Sequence, residues 1–96
     1  MDIYELIAQK RPDILALADR FAIKNIRIFG SVARKEATEK SDIDFLVEFP
    51  PGTSLITHAA FQQELSELLG RSVDVASANG INEHFRRIVL QEAVPL

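Results

Sequence analysis

The sequence predicts an α+β fold, a small mixed three-stranded sheet flanked by helices, on three observations. Apolar spacing alternates between a helical period and a period of two, in the order helix, helix, strand, short helix, strand, long helix, strand, helix. Turn residues mark several of the changes: Pro12, Gly30, Pro50-Pro51-Gly52, Gly70 and Ala78-Asn79-Gly80. The second strand is apolar on both faces, as a central strand requires, because Leu46 lies opposite Ile43, Phe45, Val47 and Phe49.

Each element has a local reason. Asp2 can cap a helix from Ile3 to about Gln9, and Pro12, well tolerated at a first helical position, is expected to end it and to start a second helix that runs to about Phe21. Ala22 to Asn25 links into a strand in which Ile26 and Ile28 alternate with Arg27. Gly30 follows Phe29 as the residue best able to take positive φ or to let a ligand approach the backbone. Ser31 stands where a helix N-cap belongs, with Val32 to Ala37 as the short helix behind it. Pro50-Pro51-Gly52 stops the second strand, and Thr53 or Ser54 caps a long helix to Leu69 whose apolar face is Leu55, Ala59, Phe61, Leu65, Leu68 and Leu69. Gly70 closes that helix. Arg71 to Ala76 alternates as a third strand, with Asp74 opposite Val73 and Val75, and Asn82 can cap a last helix that turns Ile81, Phe85, Ile88 and Val89 to the core.

Composition narrows the function. The 96 residues read as one domain, 1–96, without repeat or linker, and 47% hydrophobic residues suffice for a core. The lack of cysteine excludes disulfides, thiolate metal sites and cysteine nucleophiles, and it fits a reducing cytoplasm. The start MDIYELIAQK has no basic segment followed by an apolar run, and no window approaches the ~18 apolar residues of a membrane helix. A net charge of −3 argues against wholesale nucleic-acid binding, which draws its affinity from neutralised phosphates. Five carboxylates, Glu36, Glu39, Asp42, Asp44 and Glu48, crowd the loop and strand after the Gly-Ser turn. Acid beside a phosphate-type turn suggests a metal-bound nucleotide.

The chemistry is concentrated in IRIFGSVARKEATEKSDIDFLVEF, residues 26–49. A Gly-Ser turn that opens a helix aims backbone N–H groups and a positive dipole end at an anion. Asp42 and Asp44, two apart on a strand, send their carboxylates to one face, and Asp74 adds a third. A solvated edge strand would also carry such aspartates. Here they lie in an apolar run, where unpaired carboxylates repel one another unless a cation joins them. Arg34, one turn from Ser31, is within reach of a phosphate or of a neighbouring carboxylate. His58 and His84 fall outside this pattern and receive no role.

GSVAR followed by SDIDFLVEF resembles the signature of the DNA polymerase β-like nucleotidyltransferase superfamily, closest in size and wording to its minimal members, the MNT proteins, over nearly the whole chain. The resemblance implies that fold, with Gly30, Ser31 and Arg34 at the nucleotide, Asp42 and Asp44 as the metal-binding pair, and Asp74 as the third acid, serving metal and acceptor hydroxyl. It implies in-line attack on the α-phosphate of ATP, assisted by two magnesium ions roughly 3.5 to 4 Å apart. It also implies an antitoxin of a HEPN/MNT module that transfers AMP to a tyrosine of a HEPN ribonuclease toxin, with a homodimer and a hetero-oligomer with the toxin both open. Two other readings stand beside it: a binding module that blocks its partner by contact, and an enzyme for a small hydroxylated molecule. Minimal members often have Gly-Glu where this chain has Lys35-Glu36, so a differently shaped end of the short helix is expected, and relatives commonly continue past the position of Val94-Pro95-Leu96.

Overall fold

A computed structural model describes residues 2–80 and 83–96. The elements run α1 (Ile3–Arg20), β1 (Lys24–Phe29), α2 (Gly30–Ala33), β2 (Ile43–Glu48), α3 (Leu55–Leu69), β3 (Val73–Ser77), α4 (Glu83–Glu92) and β4 (Val94–Pro95). The sheet order is β3-β2-β1-β4, with β2 and β3 parallel and β1 antiparallel to both of its neighbours. The α+β class and the mixed sheet are as expected. The strand count is not: there are four strands, because Val94 and Pro95 pair with Ile28 and Arg27. Two residues, one of them proline, carry no period from which a strand can be read.

β2 lies between β1 and β3, and its alternation organises both layers. Ile43, Phe45 and Val47 are fully buried in the main core with Ile3, Ile7, Ile14 and Leu17 of α1 and with Phe61, Leu65 and Leu69 of α3. Phe61 meets Phe21 and Phe49 edge-on, with ring centroids 5.3 and 6.0 Å away. The opposite face carries Asp44 and a smaller cluster in which Leu46 packs with Ala78 and with Val89 of α4.

The expected break at Pro12 does not occur, and α1 is continuous. A proline inside a helix costs about 3 kcal/mol. Ile3 and Ile7 before it and Ile14, Leu17 and Ala18 after it share one buried face, and each fully buried aliphatic side chain contributes about 1.5–3 kcal/mol. Pro12 itself is exposed, where water can satisfy the freed carbonyl. Asp2 caps α1 as anticipated, its Oδ1 accepting from Glu5 N–H at 2.8 Å.

In α3, Ser54 is the cap and Gly70 takes φ 64 at the end, both as expected, but Leu55 is 86% exposed and Ala59 is also at the surface. From this helix the core takes Phe61, Leu65 and Leu69, with Leu68 packed against them. In α4, Val89 is buried while Phe85 and Ile88 remain about half exposed, and the expected Ile81 and Asn82 contributions lie outside the described residues. Among the described residues, no helix is long and apolar enough to cross a membrane.

β3 is an edge strand, yet its outward backbone groups at Val75 are engaged. Gln62 Oε1 accepts from Val75 N–H at 2.9 Å, and His58 Nε2 lies 2.7 Å from Val75 O, which fixes that nitrogen as the one bearing hydrogen. The His58 ring also lies 4.8 Å from that of Phe49.

Candidate active site

Register creates the site. Phe29, the last residue of β1, pairs with Asp44 of β2, so the turn that follows Phe29 is laid against the Asp44 side chain. Gly30 has φ +73 there, and a Cβ on it would fall inside van der Waals contact with Asp44 Oδ2 and 3.1 Å from Asp44 Cγ. The expected positive φ is there, and the group lying against the backbone is the Asp44 carboxylate of the protein itself.

Ser31 is not the N-cap. α2 begins at Gly30, Phe29 occupies the cap position without a side-chain bond, and Ser31 sits half-buried in the first turn. β1 pairing carries the chain straight into the helix and leaves no extended residue for Ser31 to occupy. Its amide still belongs to a first turn, whose N–H groups have no acceptor within the helix. α2 ends at Ala33, earlier than the expected Ala37. Lys35 takes φ 62, its N–H donates to Val32 O at 3.1 Å, and Glu36 N–H donates to Ser31 O at 2.8 Å. This is a Schellman closure, with lysine in the left-handed position that favours glycine. The replacement of glycine therefore preserves a glycine-type ending to this short helix.

Asp44 and Asp74 are paired residues of the parallel strands β2 and β3, and their side chains leave the same face. Asp42 lies one residue before β2 rather than within it, because the ladder starts with Ile43 N–H donating to Ser72 O at 3.1 Å. Burial pushes the Asp44 carboxyl above the ordinary range, and repulsion from Asp74 and then Asp42 adds to the shift, against the pull of Arg34. Among the described residues, no hydrogen bond or salt bridge engages any of the three carboxylates. A half-buried acid that is repelled by two neighbours and has no donor suits a hard cation. Among the described residues, three acidic or imidazole side chains do not converge into a closed metal cage. Magnesium does not require one, since it is commonly held by one or two carboxylates with water and phosphate completing the shell.

Arg34 is placed against carboxylates. Its Nε donates to Glu36 Oε2 at 3.2 Å and its Nη1 to Glu92 Oε1, and these bonds, Glu36 first, raise its pKa further. Glu92 is the residue that sequence reasoning missed: it ties α4 to α2 and adds to the negative field at Asp44. Its only sequence signal is its place one turn beyond Val89. The 330 Å³ depression bounded by the start of α1, Thr38, Glu39 and Arg71 is lined by none of the three aspartates.

The profile of the nucleotidyltransferase domain family matches residues 13–96. The chain is similar to the protein adenylyltransferase MntA of Thermococcus cleftensis, with 37% identity over 78 residues, 81% of this chain and 79% of that protein. A solved structure provisionally named a minimal nucleotidyltransferase superposes with a TM-score of 0.87 at 45% identity, covering 100% of this chain and 97% of the other. A toxin–antitoxin structure with AMP-PNP shares the fold, with a TM-score of 0.78 at 21% identity over 88% of this chain and 69% of that one.

Proposed function

The chain belongs to the nucleotidyltransferase domain family, among its minimal members, and on that premise we propose that this nucleotidyltransferase carries AMP from ATP to a tyrosine hydroxyl of a cytoplasmic partner, a HEPN-type ribonuclease toxin, and thereby silences it. The observation that carries the reading is the packing of Asp44 on Gly30 with Asp74 in register beside it. A turn suited to phosphate and a pair of acids suited to a cation thus occupy one place. The name of the Thermococcus relative supports a protein as acceptor, and the toxin–antitoxin neighbour supports a toxin partner and an adenine nucleotide.

In this reading Gly30 and Ser31 hold the phosphates, and Arg34 turns from Glu36 and Glu92 to the same phosphates. The tyrosine oxygen forms a bond to the α-phosphorus, the bond from that phosphorus to diphosphate breaks, and the phenolic proton passes to the Asp74 carboxylate. Asp42 and Asp44, with Asp74 as the third acid, would hold magnesium, which would supply charge compensation for the phosphates and the departing diphosphate. Position and field do the rest. AMP on the toxin adds charge and bulk that repel RNA.

Intact mass spectrometry of a helical ribonuclease co-expressed with this chain tests the proposal. Wild type should add one or more AMP units on tyrosine and abolish ribonuclease activity, and the Asp42→Asn, Asp44→Asn double variant should add none. Asp74→Ala should retain nucleotide binding and lose transfer. A partner that is inhibited yet unmodified by wild type would establish blocking by contact instead.

A further inference from the structure

The polar turn between α2 and β2 is tied to the segment leading from α3 into β3 by the guanidinium of Arg71. Arg71 Nη2 donates to Glu39 O at 2.9 Å and Ser41 O at 3.0 Å, and lies 3.4 Å from Thr38 O. The turn is also closed on itself. Ser41 N–H donates to Thr38 O at 3.0 Å, and Thr38 N–H donates to Ser41 Oγ at 2.9 Å. Asp42 follows directly. On the other side, Arg71 is anchored at its own carbonyl, which accepts from Ser66 Oγ of α3 at 2.6 Å, and it stands three residues before Asp74.

We propose that Arg71 is a positioning residue of the nucleotide site: it fixes the turn 38–41, and through it Asp42, relative to Asp74 on the neighbouring strand. The inference rests on the reading of these acids as a metal and nucleotide site. Its physical basis is that Asp42 lies outside the sheet, so the ladder alone does not hold it. Its place depends on the turn before it, and that turn has a charged donor shared among its carbonyls. Bonds from charged donors are stronger than neutral ones, and a planar guanidinium loses little freedom in making several at once. Residues behind the ligands typically change metal affinity by about 10- to 100-fold when removed.

The test compares wild type, Arg71→Met, which keeps the apolar stem without donors, and Arg71→Lys, which keeps the charge. Arg20→Met, which removes the surface pair of Arg20 with Glu64 at 3.0 Å, serves as the stability control. Two quantities are read: hydrogen exchange of the 38–43 amides without ligand, and the Mg²⁺ concentration that half-saturates the ATP-dependent rise in melting temperature. Arg71→Met should exchange roughly tenfold faster in this segment and need about tenfold more Mg²⁺, with Arg71→Lys between it and wild type. Arg20→Met should change neither. If wild type responds to Mg²⁺ with ATP and Arg71→Met needs the same Mg²⁺, or its segment exchanges as slowly as wild type, the positioning role is overturned. Wild type without any such response would instead overturn the metal-site reading, and the exchange result still separates the two.

Discussion

The two faces of the sheet differ in what they ask of the same strand. Toward α1 and α3, β2 presents Ile43, Phe45 and Val47 to a continuous apolar core. Toward α4 it presents Asp44 and Leu46, one to the Gly30 turn and the other to the small cluster with Ala78 and Val89. Alternation lets residues adjacent in sequence serve opposed purposes. The first face stabilises the fold by burial, while the second keeps repelling carboxylates close together at a cost in stability. Substitutions on the first should therefore read out in folding, and substitutions of the carboxylates on the second in binding and transfer.

The largest effect should come from Phe45→Ala. It removes a fully buried ring, and a loss of about 3–5 kcal/mol in denaturant unfolding is expected. A loss no greater than that of the Asp42→Asn, Asp44→Asn variant would erase the distinction between the faces. Gly30→Ala comes next. Positive φ and the collision with Asp44 should together cost about 1–3 kcal/mol, and the melting-temperature response to Mg²⁺ with ATP should disappear even where the variant is folded.

Smaller and of opposite sign, Lys35→Gly should stabilise by about 0.5–1 kcal/mol, since glycine enters the left-handed position without strain. Asp44→Asn sharpens the comparison through pH. The folded Asp44 carboxyl titrates above its unfolded value of 3.8, so the folded protein holds the proton more tightly there. That contribution is fully present below pH 3.8 and is lost as pH rises through the higher folded value. Without metal, Asp44→Asn should be more heat-stable than wild type near neutral pH and should lack this part of the acid dependence. A less stable variant would mean that the aspartate face contributes to the fold rather than strains it.

What was legible in the sequence was what is local. Ser54 and Gly70 mark the ends of α3 by chemistry contained within a turn, and the Asp-x-Asp spacing places Asp44 without knowledge of the rest of the fold. Resemblance brought Asp74 to the same site, and strand register agrees with it. The misreadings involve distance. Pro12 announces a break, but the face that overrides it becomes a face only when β2 and α3 are in place. β4 exists because β1 is there to pair with it. Arg71 and the turn it holds lie about thirty residues apart, as do few contacts that a motif can encode. Lys35 in the left-handed region and Glu92 at Arg34 are set by packing, and neither residue type announces it.

The engaged middle of the outer strand bears on how the protein behaves in concentrated solution. Among the described residues, Val75 is bonded to Gln62 and His58 at the centre of β3, and the opposite edge is only two residues long and contains a proline that has no N–H, so both borders of the sheet are interrupted as templates on which another copy could add a strand. Resistance to stacking then depends on hydrogen bonds already made rather than on mutual repulsion of charge. It should persist at pH 5.3, where the net charge vanishes, and light scattering at that pH should rise for a His58→Ala, Gln62→Ala variant before it rises for wild type.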